Sequence, residues 1–181
     1  MTANRVLYLL GSAAPPVLNV ASVIEQAQAA GWDVCLGLTP TAARWLDEEL
    51  PALAAQTGHP VRSAYKLPQE PDVWPPADVA VLAPATFNTI NQWALGITDK
   101  FIVGFLAEAI GKKIPLVTMP CVNAAFVEHT QFARSVDTLR AMGVRVLYGP
   151  GGFVPNKPGE GRPDSYPWHL ALDAAGQALK G

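Results

Sequence analysis

The chain predicts an α/β sandwich around a parallel sheet, and two observations carry that prediction. Short, nearly continuous apolar runs alternate with stretches of helical periodicity, and glycine, proline or hydroxyl residues stand where the runs end. Strands without polar alternation are buried on both faces, which calls for helices on both sides of a mostly parallel sheet. At 181 residues, half of them apolar and 15% charged, the chain is long enough to bury a core in one domain. The expected architecture is a Rossmann-like or flavodoxin-like three-layer sandwich, one domain over 1–181.

Each element follows from local pattern. Val6 to Leu10 predicts the first strand, and Gly11 to Pro16 a turn into a helix from Val17 to Ala30 that Gly31 stops. Val34 to Leu38 predicts the second strand, followed by a helix from Thr41 to Gln56 capped by Thr39 or Thr41. A weaker strand is expected over Val61 to Tyr65, then an irregular connection from Lys66 to Pro76 holding four prolines. Asp78 to Leu82 predicts a strand, with helical pattern from there to Gly111. Ile114 to Met119 predicts the next strand, Ala124 to Met142 a helix ended by Gly143, and Val144 to Tyr148 the last strand. Residues 149–163 are too rich in glycine and proline to fold alone, and a terminal helix is expected to close the chain.

Composition excludes several functions. A net charge of −2 does not suit a surface that tracks nucleic acid phosphates. Cys35 and Cys121 lie far apart and His59, His129 and His169 have no ligand-like spacing, so no disulfide framework and no metal site are expected. Cysteine usage of this kind fits a reducing cytoplasm. No run of 18 apolar residues is present, so no membrane span is expected. The phosphate loop of nucleotide hydrolases, the dinucleotide fingerprint and the nucleophile elbow are all missing.

Chemistry is expected where strands end. The carboxyl ends of parallel strands gather on one edge of the sheet, and ligands of open α/β folds bind there. The loops at that edge are Gly11-Ser12, Thr39, Pro84 to Thr89 and Pro120 to Asn123. The first offers a hydroxyl and backbone donors at a helix start, which suits a phosphate; the third offers Thr86, Asn88 and Thr89 to a polar planar or phosphorylated ligand. Gly11-Ser12 is equally well read as a turn and cap. Trp74, Trp93 and Cys121 are read as packing residues.

Taken together these loops resemble the homo-oligomeric flavin-containing cysteine decarboxylases, a family that includes phosphopantothenoylcysteine decarboxylase and peptidyl-cysteine decarboxylases of lantibiotic-type biosynthesis. The family's P-A-S/T-A-N-T-I and A-x-G-I-x-D motifs are matched by Pro84-Ala85-Thr86-Phe87-Asn88-Thr89-Ile90 and Ala94-Leu95-Gly96-Ile97-Thr98-Asp99. Its P-A-M-N motif is half matched by Pro120-Cys121-Val122-Asn123, and its early G-S motif by Gly11-Ser12. The resemblance, which spans about residues 5 to 148, implies FMN with its phosphate near Gly11 and Ser12. Its ring system would lie between Thr39 and the loop of Pro84, Ala85, Thr86, Asn88 and Thr89, with Asp99 closing the motif. It implies that Asn123 contacts a substrate carboxylate and that 149–167 is a mobile substrate flap carrying Arg162 for that carboxylate; the terminal helix expected from the residue pattern takes 168–181. It also implies a homo-oligomer, a trimer or a trimer-based dodecamer.

Two departures qualify the implied activity. The family's histidine, seven residues before an Ala-Asp pair, is replaced by Glu70 when counted back from Ala77-Asp78, so Glu70 is the candidate base. The flap cysteine of phosphopantothenoylcysteine decarboxylase has no counterpart in 149–163, although Gly159-Glu160-Gly161-Arg162 echoes the neighbouring motif. The expected function is an FMN-dependent oxidative decarboxylase acting on a cysteine-derived or C-terminal peptidyl-cysteine carboxylate. The alternatives are an FMN-binding pathway partner without decarboxylase activity and, ranked last, a flavin prenyltransferase-like enzyme.

Overall fold

A computed structural model describes residues 5–180 of the chain. Its sheet has five strands: β1 (Arg5–Gly11), β2 (Trp32–Leu38), β3 (Val79–Ala85), β4 (Leu116–Pro120) and β5 (Arg145–Val146). All are parallel, in the order β2-β1-β3-β4-β5. This is the flavodoxin-like order, and its topological switch point lies between β1 and β3. The helices are α1 (Val20–Ala29), α2 (Pro40–Trp45), α3 (Leu50–Thr57), α4 (Phe87–Leu95), α5 (Phe101–Gly111), α6 (Ala124–Val127), α7 (Thr130–Ala141) and α8 (Trp168–Ala178).

The apolar runs become strands because both of their faces are covered. Leu7, Leu9 and Leu10 of β1 and Val79 to Leu82 of β3 are essentially inaccessible to solvent. Burying one such side chain contributes about 1.5–3 kcal/mol, so the central strands anchor the core. In α1 the buried residues Val20, Val23, Ile24 and Ala27 fall at i, i+3, i+4 and i+7, the stripe by which the helix packs on β2. Helix α8 packs on β3 and β4, and α4 packs against α7 and α5.

Four expectations are corrected. Val61 to Tyr65 forms no strand among the described residues: Arg62 alone bridges Gly37 at the β2 edge, with Leu38 N–H donating to the Arg62 carbonyl at 2.8 Å. The expected helix from Thr41 to Gln56 is two helices, because Pro51 lacks an N–H and its ring cannot follow a continuing turn, so it starts α3 afresh. The helix expected from Ala124 to Met142 is broken at His129, whose Nδ1 accepts the Gln131 N–H at 3.1 Å and caps α7. The last strand shrinks to Arg145–Val146, since Tyr148 turns to bridge Phe153 at the root of the glycine-rich segment.

Strand β3 runs longer than expected, through Pro84 to Ala85. A proline inside a central strand removes a ladder donor. Here the ladder to β4 is interrupted between Leu82 and Ala85, and the Ala83–Pro84 peptide is cis. The Pro84 carbonyl, released from the ladder, accepts both the Ser12 N–H at 2.9 Å and the Ser12 hydroxyl at 2.7 Å. No described helix is long and apolar enough to cross a membrane. Gly181, the last residue of the expected terminal helix, lies outside the described residues.

Candidate functional site

The loops after β1, β3 and β4 meet at the switch point and enclose a cavity of about 490 Å³, within the usual range for small-molecule sites. The turn Ala13 to Pro16 forms one wall. Thr86, Phe87 and Asn88 at the start of α4 form the second, and Cys121 to Asn123 with Phe126 the third. The glycine-rich segment closes it with Asn156, Lys157 and Arg162. That segment is tied down where the Asn156 carbonyl accepts the Ala124 N–H at 2.8 Å and where the Tyr166 hydroxyl donates to the Met119 carbonyl at 2.6 Å.

Beneath the cavity lies a buried polar frame. The Ser12 hydroxyl donates to the Pro84 carbonyl and accepts the Thr86 N–H at 3.0 Å, so one side chain locks the β1 loop to the β3 loop. The Thr86 hydroxyl caps α4 by accepting the Thr89 N–H at 3.3 Å, and the two threonine hydroxyls lie 3.0 Å apart. Thr39 caps α2 through the Ala42 N–H at 3.3 Å, while its own N–H donates to the Gly11 carbonyl at 2.9 Å. Gly11 has little space around it: a Cβ there would stand 3.1 Å from Val17 Cγ2.

The residues proposed from sequence therefore divide. Thr86, Asn88, Asn123 and Arg162 line the cavity. Gly11, Ser12, Thr39, Pro84, Ala85 and Thr89 form its buried support instead of its wall. Asp99 is exposed and paired with Lys100 at 3.3 Å. Glu70 is exposed too, away from the cavity wall of its own chain, its carboxylate accepting the Leu67 N–H at 2.8 Å. Trp74 and Trp93 are core residues, Trp74 packed edge-on against Tyr8 with ring centroids 4.8 Å apart.

Sequence reasoning missed Lys157, Asn156, Phe126 and Tyr166. Phe126 is half exposed and stacked on Phe87 with centroids 4.8 Å apart, which makes a flat aromatic shelf in the wall. Neither Lys157 nor Arg162 has a carboxylate within ion-pair distance among the described residues. Burial pushes the Cys121 thiol up to about 11, so at neutral pH it is a protonated, weakly polar part of the wall.

The donor set suits an anion with a planar body. At the head of α4 the Phe87 and Asn88 N–H groups have no acceptor among the described residues, nor has the Ala13 N–H across the cavity. Two cations face these donors from the flap, and the remaining wall is largely apolar or aromatic. The family model described as Flavoprotein matches residues 2–165. The chain belongs to the Flavoprotein family. A flavin nucleotide, with a phosphate at one end and a flat ring system at the other, fits that set of donors and walls.

Solved structures agree on the fold of this Flavoprotein member. It is similar to the cypemycin decarboxylase CypD at 19% identity, with a TM-score of 0.73 over 98% of this chain and 95% of that one. The FMN-dependent cysteine decarboxylase TvaF from thioviridamide biosynthesis matches at 19% identity and a TM-score of 0.72, covering 99% and 100%. A variant of PPC decarboxylase complexed with pantothenoylaminoethenethiol matches at 16% identity and 0.68, covering 98% and 100%.

Proposed function

We propose that the chain is an FMN-dependent oxidative decarboxylase whose substrate is a cysteine-derived or C-terminal peptidyl-cysteine carboxylate. The observation that carries this reading is the cavity at the β1/β3 switch point of a Flavoprotein-family chain, lined by Thr86, Asn88 and Asn123 and closed by two unpaired flap cations. The decarboxylases that share its fold support the reaction class. FMN, when bound, supplies the oxidation of the thiol-bearing carbon that makes loss of carbon dioxide feasible.

The protein's part is orientation and charge. The free N–H groups of Ala13, Phe87 and Asn88 bind the phosphate end, held in place by the Ser12 strap. Asn123, whose Oδ1 is committed to the Ala125 and Phe126 N–H groups at 3.0 and 3.2 Å, presents its amide N–H₂ to the substrate carboxylate. Arg162 closes over the same carboxylate as a bidentate partner, and the Phe87–Phe126 shelf excludes water. Glu70 reaches the reacting thiol only from a second copy of the chain, in a homo-oligomer of trimeric type.

Purification followed by peptide turnover tests this. The protein is expected to be yellow, and peptides ending in cysteine are expected to lose the mass of formic acid. Glu70→Gln is expected to lower that turnover by roughly 10²-fold or more, the scale of general base catalysis. A colourless protein that takes up no added FMN would end the proposal; a yellow one inert toward such peptides would instead leave an FMN-binding partner protein. An undiminished Glu70→Gln variant would remove Glu70 from the mechanism.

A further inference from the structure

A second, larger cavity of about 970 Å³ lies on the α5 side of the sheet, away from the switch point. Its walls are aromatic, with ring contacts running from Phe105 to Tyr8, from Tyr8 to Trp74 and from Trp74 to Phe101. The Arg62 guanidinium lies in this wall, 3.8 Å from the Phe101 ring centroid and 5.4 Å from that of Trp74. Lys66 and Lys112 also line the cavity, but each is paired, with Asp72 at 2.9 Å and Glu108 at 2.8 Å. Arg62 has no ion pair among the described residues, which leaves the cavity one unbalanced positive charge.

Apolar side chains on or beside the lining segments are exposed. Tyr65 on its wall is 54% accessible, and Leu67, Val73 and Ile97, each next in the chain to a lining residue, are 57%, 45% and 47% accessible. Clustered exposure of large apolar side chains around a cationic aromatic socket marks a protein interface.

The chain carries a matching knob elsewhere. Trp45 ends α2 beyond the edge strand β2, is 45% accessible and has no ring partner among the described residues. Beside it Asp47, Glu48 and Glu49 are exposed and unpaired within the same set. An exposed indole next to three unpaired carboxylates complements an aromatic socket that holds an unpaired guanidinium.

We propose that Trp45 and the Asp47–Glu49 run of one copy dock into the Arg62 cavity of a second copy. Knob and socket are different surfaces, so the contact is heterologous, and a head-to-tail contact closes into a ring when its rotation divides a full turn. The proposal rests on the homo-oligomer reading above and names the surfaces that make it.

Mass in solution tests it by light scattering on the purified full chain. The unaltered chain is expected to form a closed oligomer, and Trp45→Ser and Arg62→Glu are each expected to fall to the 19.2 kDa of one chain. Trp45→Ser keeps a working socket and Arg62→Glu a working knob. Mixing the two variants is therefore expected to yield a dimer of twice the chain mass and nothing larger. An unaltered chain that is monomeric, or a Trp45→Ser chain that keeps the full mass, would overturn the proposal. Should Arg62→Glu misfold by circular dichroism, adding Asp47→Lys and Glu48→Lys to an Arg62→Asp chain replaces it, and restored mass is expected. Flavin absorbance on the same samples separates the two readings. A colourless oligomer removes the cofactor and leaves the interface, and a yellow monomer does the reverse.

Discussion

Ser12 shows how one side chain can serve a site without touching its ligand. Its hydroxyl is 1% accessible and has both roles filled, donor to the Pro84 carbonyl and acceptor for the Thr86 N–H. It therefore cannot also donate to a phosphate, and its contribution is to hold the free N–H groups of Ala13, Phe87 and Asn88 at one spacing. Ser12→Ala leaves the Thr86 N–H without a partner, while the Pro84 carbonyl keeps the backbone N–H of residue 12, at a cost of about 1–3 kcal/mol. Urea unfolding is expected to show a loss of that size, and fluorescence titration is expected to show weakened FMN binding as the loops part. A variant with unchanged stability but weakened FMN binding would return Ser12 to the role of a direct phosphate ligand.

At the scale of elements, legibility in the sequence followed burial. The runs at Val6 to Leu10 and Val34 to Leu38 were readable because a strand covered on both faces has no polar positions to confuse the pattern. The break between α2 and α3 was harder, since Pro51 fits both the second position of a new helix and a disruption of an old one. Thr86, Asn88 and Asn123 were readable because their place after an apolar run puts them at the ligand edge. Lys157 and Phe126 were not: nothing local says where the glycine-rich segment lands, and only the Asn156–Ala124 and Tyr166–Met119 bonds bring it over the cavity. Gly96 tests how far local rules hold here. It ends α4 with φ of 71°, a left-handed conformation that an L side chain adopts at a cost. Gly96→Ala is expected to lower stability by about 1 kcal/mol in urea titration, while flavin absorbance stays unchanged because the head of α4, not its tail, faces the cavity. No change in stability would mean that the α4–α5 connection relaxes freely.

For the molecule as a whole, the unbalanced charge over the switch-point cavity decides what it takes up. The chain carries a net charge of −2, yet Lys157 and Arg162 face the cavity with no acidic residue in its wall. A molecule that is anionic overall thus keeps a cationic flap over one opening, and anions are drawn there against the mean field of the surface. The segment over the cavity is held at Asn156 and Tyr166, and Lys157 and Arg162 stand between these two points. Replacing both cations, Lys157→Ala with Arg162→Ala, removes two charge-assisted contacts made by exposed side chains, together about 1.5–3 kcal/mol. Binding of the anionic ligand, FMN or the substrate carboxylate, is expected to weaken at least tenfold, one factor of ten per roughly 1.4 kcal/mol. The salt dependence of binding is expected to flatten with it, because the screened attraction is gone. Titrations of each ligand at low and high ionic strength make the comparison. If the double variant bound both ligands with unaltered affinity and unaltered salt dependence, the flap would be a steric cover, and ligand charge would have to be met by the N–H groups of Ala13, Phe87 and Asn88 alone.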